Sequence, residues 1–233
     1  MQYIFLDNSG EKSIFLKKET EEYNYLFKVR RHKLNSFIFA RNENNLEKLY
    51  KYKIVELDRK SASLELVDEV SKVIANRTNS ELFIIWCVVD LKTIEKTLPA
   101  LNEIGVSKIY FSYCDFSQKN IKIDLERINR ILRTSSMQSG RSSVTKVEII
   151  EDLEELLETK KDKNLISIDF SENILSNSVC ENLNGFIVGA EGGFSETERE
   201  ILKNKNIQSY RVNTDTILKS STAIVSVAGK ILL

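Results

Sequence analysis

The chain has 233 residues, with 34 basic side chains against 34 acidic ones, 42% hydrophobic residues and 29% charged residues. That length suits one large domain or two small ones with a sizeable core, and the composition excludes a disordered or fibrous protein. The apolar run at residues 83–89 is far shorter than the roughly 20 residues needed to cross a bilayer. No basic stretch followed by an apolar core opens the chain, so a cytoplasmic protein is expected. Cys87, Cys114 and Cys180 are odd in number and widely spaced, and all three are expected to be reduced thiols. With His32 the single histidine and no close cysteine pair, no metal site is expected.

Along the chain, residues 3–6, 13–16, 36–40, 52–55 and 63–67 read as short strands, with a helical turn near 20–27. This pattern predicts a small barrel-like β domain over residues 1–70. From residue 71 to 233 the pattern becomes α/β. Strands are predicted at 82–89, 109–113, 147–150, 165–169, 185–189 and 209–212, and helices near 91–101, 124–138, 153–157, 195–203 and 219–232. Such alternation predicts a mainly parallel sheet with helices on both faces.

Charge is balanced overall but not locally. Lys28-Val-Arg-Arg-His-Lys33 is a compact basic cluster. In the predicted helix from residue 124, Leu125, Ile128 and Leu132 form the expected buried stripe, while Arg127, Arg130 and Arg133 project together. That face is either a solvated surface or a footprint for a phosphate backbone.

The chain holds only 8 glycines, yet Gly189, Gly192 and Gly193 fall within one short stretch, at the end of a predicted strand. Ser195 and Glu198 then have the spacing of a capping box that opens a helix. The loop is either an ordinary tight turn or a place where backbone amides approach a ligand. It has neither the G-x-G-x-x-G spacing of a dinucleotide site nor the Gly-Lys-Ser/Thr of a phosphate loop. Near the C-terminus a polar loop precedes a helix of small and apolar residues. Ala223, Val227 and Ile231 lie on one stripe of it, and the helix is expected to be apolar nearly all round and to serve a core or a subunit interface.

These stretches together resemble the 16S ribosomal RNA uridine-N3 methyltransferases of the knotted SPOUT class. Val188-Gly-Ala-Glu-Gly-Gly-Phe-Ser195 is similar to that family's Gly-Pro-Glu-Gly-Gly loop, and Ile217-Leu-Lys-Ser-Ser-Thr-Ala223 to its Leu-Arg-x-Glu-Thr-Ala loop. Asn102-Glu-Ile-Gly-Val106 and Met137-Gln-Ser-Gly-Arg141 resemble two further elements, and Tyr25-Leu-Phe-Lys-Val-Arg30 is a fainter N-terminal match. The chain departs from the pattern at Ala190, Lys219 and Ser221, where the family has proline, arginine and glutamate.

The resemblance implies a trefoil-knotted SPOUT domain over residues 71–233, preceded by a PUA-like RNA-binding β-barrel over residues 1–70. It implies a homodimer that methylates N3 of a uridine in 16S rRNA of the small ribosomal subunit with S-adenosylmethionine. The cofactor residues it implies are Asp169, Phe170, Val188, Gly189, Glu191, Gly192, Gly193, Val212, Leu218, Lys219, Ser220, Ser221, Thr222 and Ala223. Arg141 and Gln138 are the catalytic candidates, and Arg30, Arg31, Lys92, Arg133 and Arg141 the RNA-binding ones. The departures motivate two alternatives: a non-catalytic RNA-binding protein of the same fold, or methylation of a different RNA.

Overall fold

The computed structural model describes residues 2–70, 81–118 and 120–233. The chain divides into two compact units, one of residues Met1–Ala75 with Ser136–Ser143, the other of Asn76–Ser135 with Val144–Leu233. The segment carrying Gln138 and Arg141 thus groups with the N-terminal residues, whereas the sequence pattern placed it in the C-terminal domain.

The first unit is built on a five-stranded sheet of β1 (Ile4–Phe5), β2 (Ser13–Lys17), β3 (Phe37–Asn42), β4 (Asn45–Leu57) and β5 (Ser61–Val70), in the order β1-β3-β4-β5-β2. All pairs are antiparallel except β1 with β3. The register shifts within the β3–β4 and β4–β5 ladders, and such irregularities bend a sheet. Alternate residues such as Ile14, Leu16, Ile38, Tyr52, Ile54 and Leu64 turn inward onto one core. A short helix α1 (Glu21–Tyr23), capped by the Thr20 hydroxyl, continues as a π-helical stretch over Asn24–Val29 and adds Tyr23 and Leu26 to that core.

The second unit is a six-stranded parallel sheet of β6 (Phe83–Cys87), β7 (Lys108–Ser112), β8 (Lys146–Ile150), β9 (Leu165–Ile168), β10 (Gly185–Val188) and β11 (Gln208–Tyr210), in the order β11-β9-β10-β6-β7-β8. Its central strands are apolar without interruption because both faces are covered. Ile84, Trp86, Phe111, Phe186 and Val188 enter one core, while Phe83, Ile85, Tyr110, Leu165 and Ile187 enter another. The helices are α2 (Leu91–Ile104), α3 (Leu125–Ser139), α4 (Leu153–Thr159), α5 (Asn177–Cys180), α6 (Glu196–Asn204) and α7 (Ser220–Leu232). Gly105, with φ 117°, ends α2 in the left-handed region, where a side chain would be strained. Among the described residues no helix is long and apolar enough to cross a membrane.

Four local expectations are corrected. The four-residue α5 was not foreseen, being too short for a helical period to show. Leu125 is 37% exposed at the start of α3, so only Ile128 and Leu132 of the expected stripe are buried. Helix α7 buries Ala223, Ile224, Val227 and Ala228, but Thr222, Ser226 and Lys230 form an exposed row at i, i+4 spacing. It is therefore two-faced rather than apolar all round. Finally, Cys87 and Cys114 are bonded, with Cα atoms 5.5 Å apart, and only Cys180 is free. Parallel pairing sets Cys87 opposite Ser112, which brings Cys114, 27 residues from Cys87 in sequence, beside it.

Candidate functional site

The site forms where β9 and β10 end. At residue 189 a Cβ would lie 2.7 Å from the backbone carbon of Gly193, so the chain can fold back on itself there only as glycine. The fold-back is closed by the Gly193 N–H donating to the Ala190 carbonyl at 3.0 Å. Gly193 has φ +77°, the left-handed conformation that glycine adopts without strain. Directly after it, Ser195 caps α6. Its hydroxyl accepts from the Glu198 N–H, and the Glu198 carboxylate accepts from the Ser195 N–H at 2.8 Å, the capping box read from the sequence.

A second layer holds this loop from behind. The Ser195 hydroxyl donates to Asp115 Oδ2 at 2.5 Å, and the Asp115 N–H donates to Glu198 Oε1 at 2.9 Å. The buried Glu198 carboxylate thus serves two backbone donors. The ring of Phe116 lies against Gly192, where an added Cβ would be 3.2 Å away.

Helix α7 closes the other side. Ser220, at its first position, donates its hydroxyl to the Gly189 carbonyl at 2.9 Å and accepts from Trp86 Nε1 at 3.0 Å. Lys219 is the N-cap residue and uses no side-chain bond there. Between β11 and α7 the polar loop is pinned by Arg211, whose guanidinium donates to the Thr214 carbonyl at 3.4 Å.

Together these segments enclose a cavity of about 260 Å³. Of the residues named from the sequence, it is lined by Asp169, Phe170, Val188, Gly189, Glu191, Gly193, Val212, Leu218, Ser220 and Ala223. Gly192, Lys219, Ser221 and Thr222 are not in the lining. The lining also contains Ile168, Ala190, Arg211 and the loop residues Thr214 to Ile217, of which Ile168 and Arg211 carried no signal in the sequence. Apolar side chains (Ile168, Val188, Leu218, Ala223) share the lining with the carboxylates of Asp169, Glu191 and Asp215 and with Arg211, so the cavity suits a ligand with an apolar part and charged or polar groups. The Asp169 side chain, only 6% exposed, is gripped by Arg199 through Nε to Oδ2 at 2.7 Å and Nη2 to Oδ1 at 3.3 Å. That hydrogen-bonded carboxylate raises the Arg199 pKa above its ordinary value. Arg199 was missed in the sequence, where it is one more charged residue on a charged helix.

Arg141 and Gln138 are not among the cavity residues. Arg141 is buried at 7% exposure, its carbonyl accepts from the Tyr3 hydroxyl at 2.7 Å, and its Nε donates to Ser143 Oγ at 2.8 Å. Burial lowers its pKa to about 10, and the same cause raises that of Tyr3. Gln138 is exposed. Of the RNA-binding candidates, Arg31 and Lys92 are exposed, while Arg30 and Arg133 are half-buried. In the arginine row of α3, Arg127 is engaged by Glu95 and is not a free cation.

Residues 76–232 match the family model described as an RNA methyltransferase domain. Over 221 residues the chain is 39% identical to a Helicobacter pylori protein named Ribosomal RNA small subunit methyltransferase E, covering 94% of each chain. A protein of the same name from Aquifex aeolicus is 25% identical over 233 residues, covering 97% of each. In three dimensions the chain resembles the crystal structure of a Ribosomal RNA small subunit methyltransferase E from Neisseria gonorrhoeae bound to S-adenosyl methionine. The TM-score is 0.81 at 19% identity, over 98% of this chain and 95% of that one, a likeness of fold.

Proposed function

Because the chain belongs to the RNA methyltransferase domain family, we propose that it transfers a methyl group from S-adenosylmethionine to N3 of a uridine in 16S rRNA of the small ribosomal subunit. The observation that supports this most is the cavity bounded by the Gly189–Gly193 fold-back and the start of α7, tied together by Ser220. S-adenosylmethionine supplies an activated methyl group on a sulfonium centre. Its adenine and ribose match the apolar walls and backbone edges, and its positive charge matches the exposed carboxylates of Glu191 and Asp215. The absent Cβ at Gly189 keeps the loop folded tightly enough to form that wall.

Ala190 in place of proline keeps this geometry, since its carbonyl still accepts from Gly193. Lys219 and Ser221 stand outside the lining, so these two departures leave the cavity walls unchanged. With the donor already activated, positioning supplies much of the acceleration. Uracil N3–H is a weak acid, and a nearby cation stabilises the charge that develops as the proton leaves. Arg141 is assigned that role, with Gln138 reading the base edge.

The same reading makes residues 1–70 a PUA-like RNA-binding domain and residues 71–233 the methyltransferase domain, in a cytoplasmic homodimer. Arg30, Arg31, Lys92 and Arg133 join Arg141 as its RNA contacts. The test is methyl transfer from labelled S-adenosylmethionine to small subunits from cells lacking the protein, followed by nucleoside digestion. Label in 3-methyluridine is the expected result. Cofactor binding without label in any nucleoside of the small subunit overturns the substrate, and absence of both overturns the enzyme.

A further inference from the structure

The first unit contains a small notch that the methyl-transfer site does not use. It measures about 90 Å³ and is lined, among others, by Gln2, Tyr25, Arg30, His32, Phe37 and Phe39. Its position follows from the chain path: the π-helical stretch at Asn24–Val29 brings Tyr25 and Arg30 beside β3, which carries both phenylalanines.

Three features make it a prepared surface. First, the aromatic walls are fixed by cations: Arg30 donates from Nε to the Tyr25 hydroxyl at 3.0 Å and its guanidinium stacks 5.3 Å from the Tyr25 ring centre. Lys51 Nζ lies 4.4 Å from the centre of Phe37. Second, one wall stays in water, Phe37 being 47% exposed. Third, between Glu22 and Glu43 the sequence has no acidic residue, while Lys28, Arg30, Arg31 and Lys33 are all basic. Arg31 is even held in the left-handed region at φ 58°, a conformation that a non-glycine residue adopts at a cost of about 1 kcal/mol or more.

Aromatic walls, a cation in the lining with further basic residues beside it in sequence, and polar edges are what an unstacked base with its flanking phosphates requires. The edge groups are the Gln2 amide and the His32 imidazole, whose ring has no hydrogen bond to protein among the described residues. Burial, with Arg30 adding to it, lowers the His32 pKa, so its neutral ring offers one donor and one acceptor. A bare phosphate has no use for the aromatic walls, and an acidic peptide has no use for the notch.

We propose that this notch holds one unstacked RNA nucleobase, read at its edge by His32 and Gln2 and stacked against Phe37 or Tyr25, while Lys28, Arg31 and Lys33 take the adjacent phosphates. The choice of RNA rests on the methyltransferase reading above. The notch and the cavity beside Gly189 belong to different units and share no lining residue, and the base held here is proposed to be a nucleotide other than the methylated one.

His32 is the one histidine of the chain, so its imidazole C2–H resonance is an assigned reporter without labelling. The full-length protein is titrated with single-stranded decauridylate, with decaadenylate and with polyphosphate at equal phosphate concentration. A saturable shift with either RNA that polyphosphate does not reproduce is the expected result. Phe37→Ala is expected to weaken RNA binding about tenfold, the order of one lost stacked base. Phe37→Trp keeps the affinity and gains an emission that RNA quenches, read against the fully buried Trp86. An equal shift with polyphosphate reduces the notch to a phosphate clamp and overturns the proposal. So does RNA binding, seen by anisotropy, that leaves the His32 resonance and the Phe37→Ala affinity unchanged. Cofactor binding is measured separately by calorimetry, and its failure bears on the methyltransferase reading and not on the notch.

Discussion

The Ser220 hydroxyl donates to the Gly189 carbonyl at 2.9 Å across 31 residues of sequence. The same oxygen accepts from the buried indole of Trp86 at 3.0 Å, so one side chain links β6, the glycine loop and the start of α7. Ser220→Ala leaves the indole N–H and a carbonyl without this partner, at a cost of about 1–3 kcal/mol. Calorimetry is expected to show S-adenosylmethionine binding weakened about tenfold, with melting lowered by about 2–4 °C or more. Unchanged affinity in the folded variant would mean that the link does not shape the cavity.

The two critical glycines differ in why they are glycine. At Gly189 a methyl group would meet the Gly193 backbone at 2.7 Å, so the loop itself must move. At Gly193 the nearest atom to a Cβ is Asp169 Oδ1 at 3.6 Å, and the obstacle is the positive φ alone. Gly189→Ala is therefore expected to abolish cofactor binding. Gly193→Ala is expected to lower stability by about 1 kcal/mol and to bind measurably. Equal behaviour of the two variants in calorimetry and thermal melts contradicts this distinction.

Arg199 keeps the nearly buried Asp169 carboxylate paired and aimed. Because Arg199 is itself 46% exposed, its contribution to global stability is small. Its effect is expected in binding: Arg199→Met weakens S-adenosylmethionine affinity about five- to tenfold, of the order of one charge-assisted hydrogen bond. Arg199→Lys is expected to recover part of the loss, since the charge remains but the two-pronged grip does not. A melting temperature that falls while affinity holds would make the pair structural only.

Arg141 is buried in the first unit and is not in the lining of the cavity beside Gly189. Arg141→Ala is expected to cost about 2–3 kcal/mol of stability, since Ser143 loses its charged partner. It is also expected to abolish methyl transfer while leaving cofactor affinity within about twofold, since no cofactor contact is removed. Near-normal turnover of a folded Arg141→Ala protein removes this residue from the reaction.

Much of this protein is legible in one dimension because its patterns are local. Unbroken apolar runs such as residues 83–87 announce a strand covered on both faces, and Ser195 with Glu198 announces a helix start. The clustering of Gly189, Gly192 and Gly193 in a glycine-poor chain marks a backbone constraint before any coordinate is known. What the tertiary structure alone decided is which distant segments share a surface. The parallel register brings Cys87 beside Cys114, and the capping of α6 recruits Asp115 from 80 residues away. The fold-back at Gly189 meets Ser220, and the Arg199 row of α6 meets Asp169. The grouping of Ser136–Ser143 with the N-terminal residues has the same origin. Each depends on contacts between residues far apart in sequence, and these contacts leave no periodicity behind. Composition and spacing record what a residue does to its own turn or strand; packing decides what it does to another.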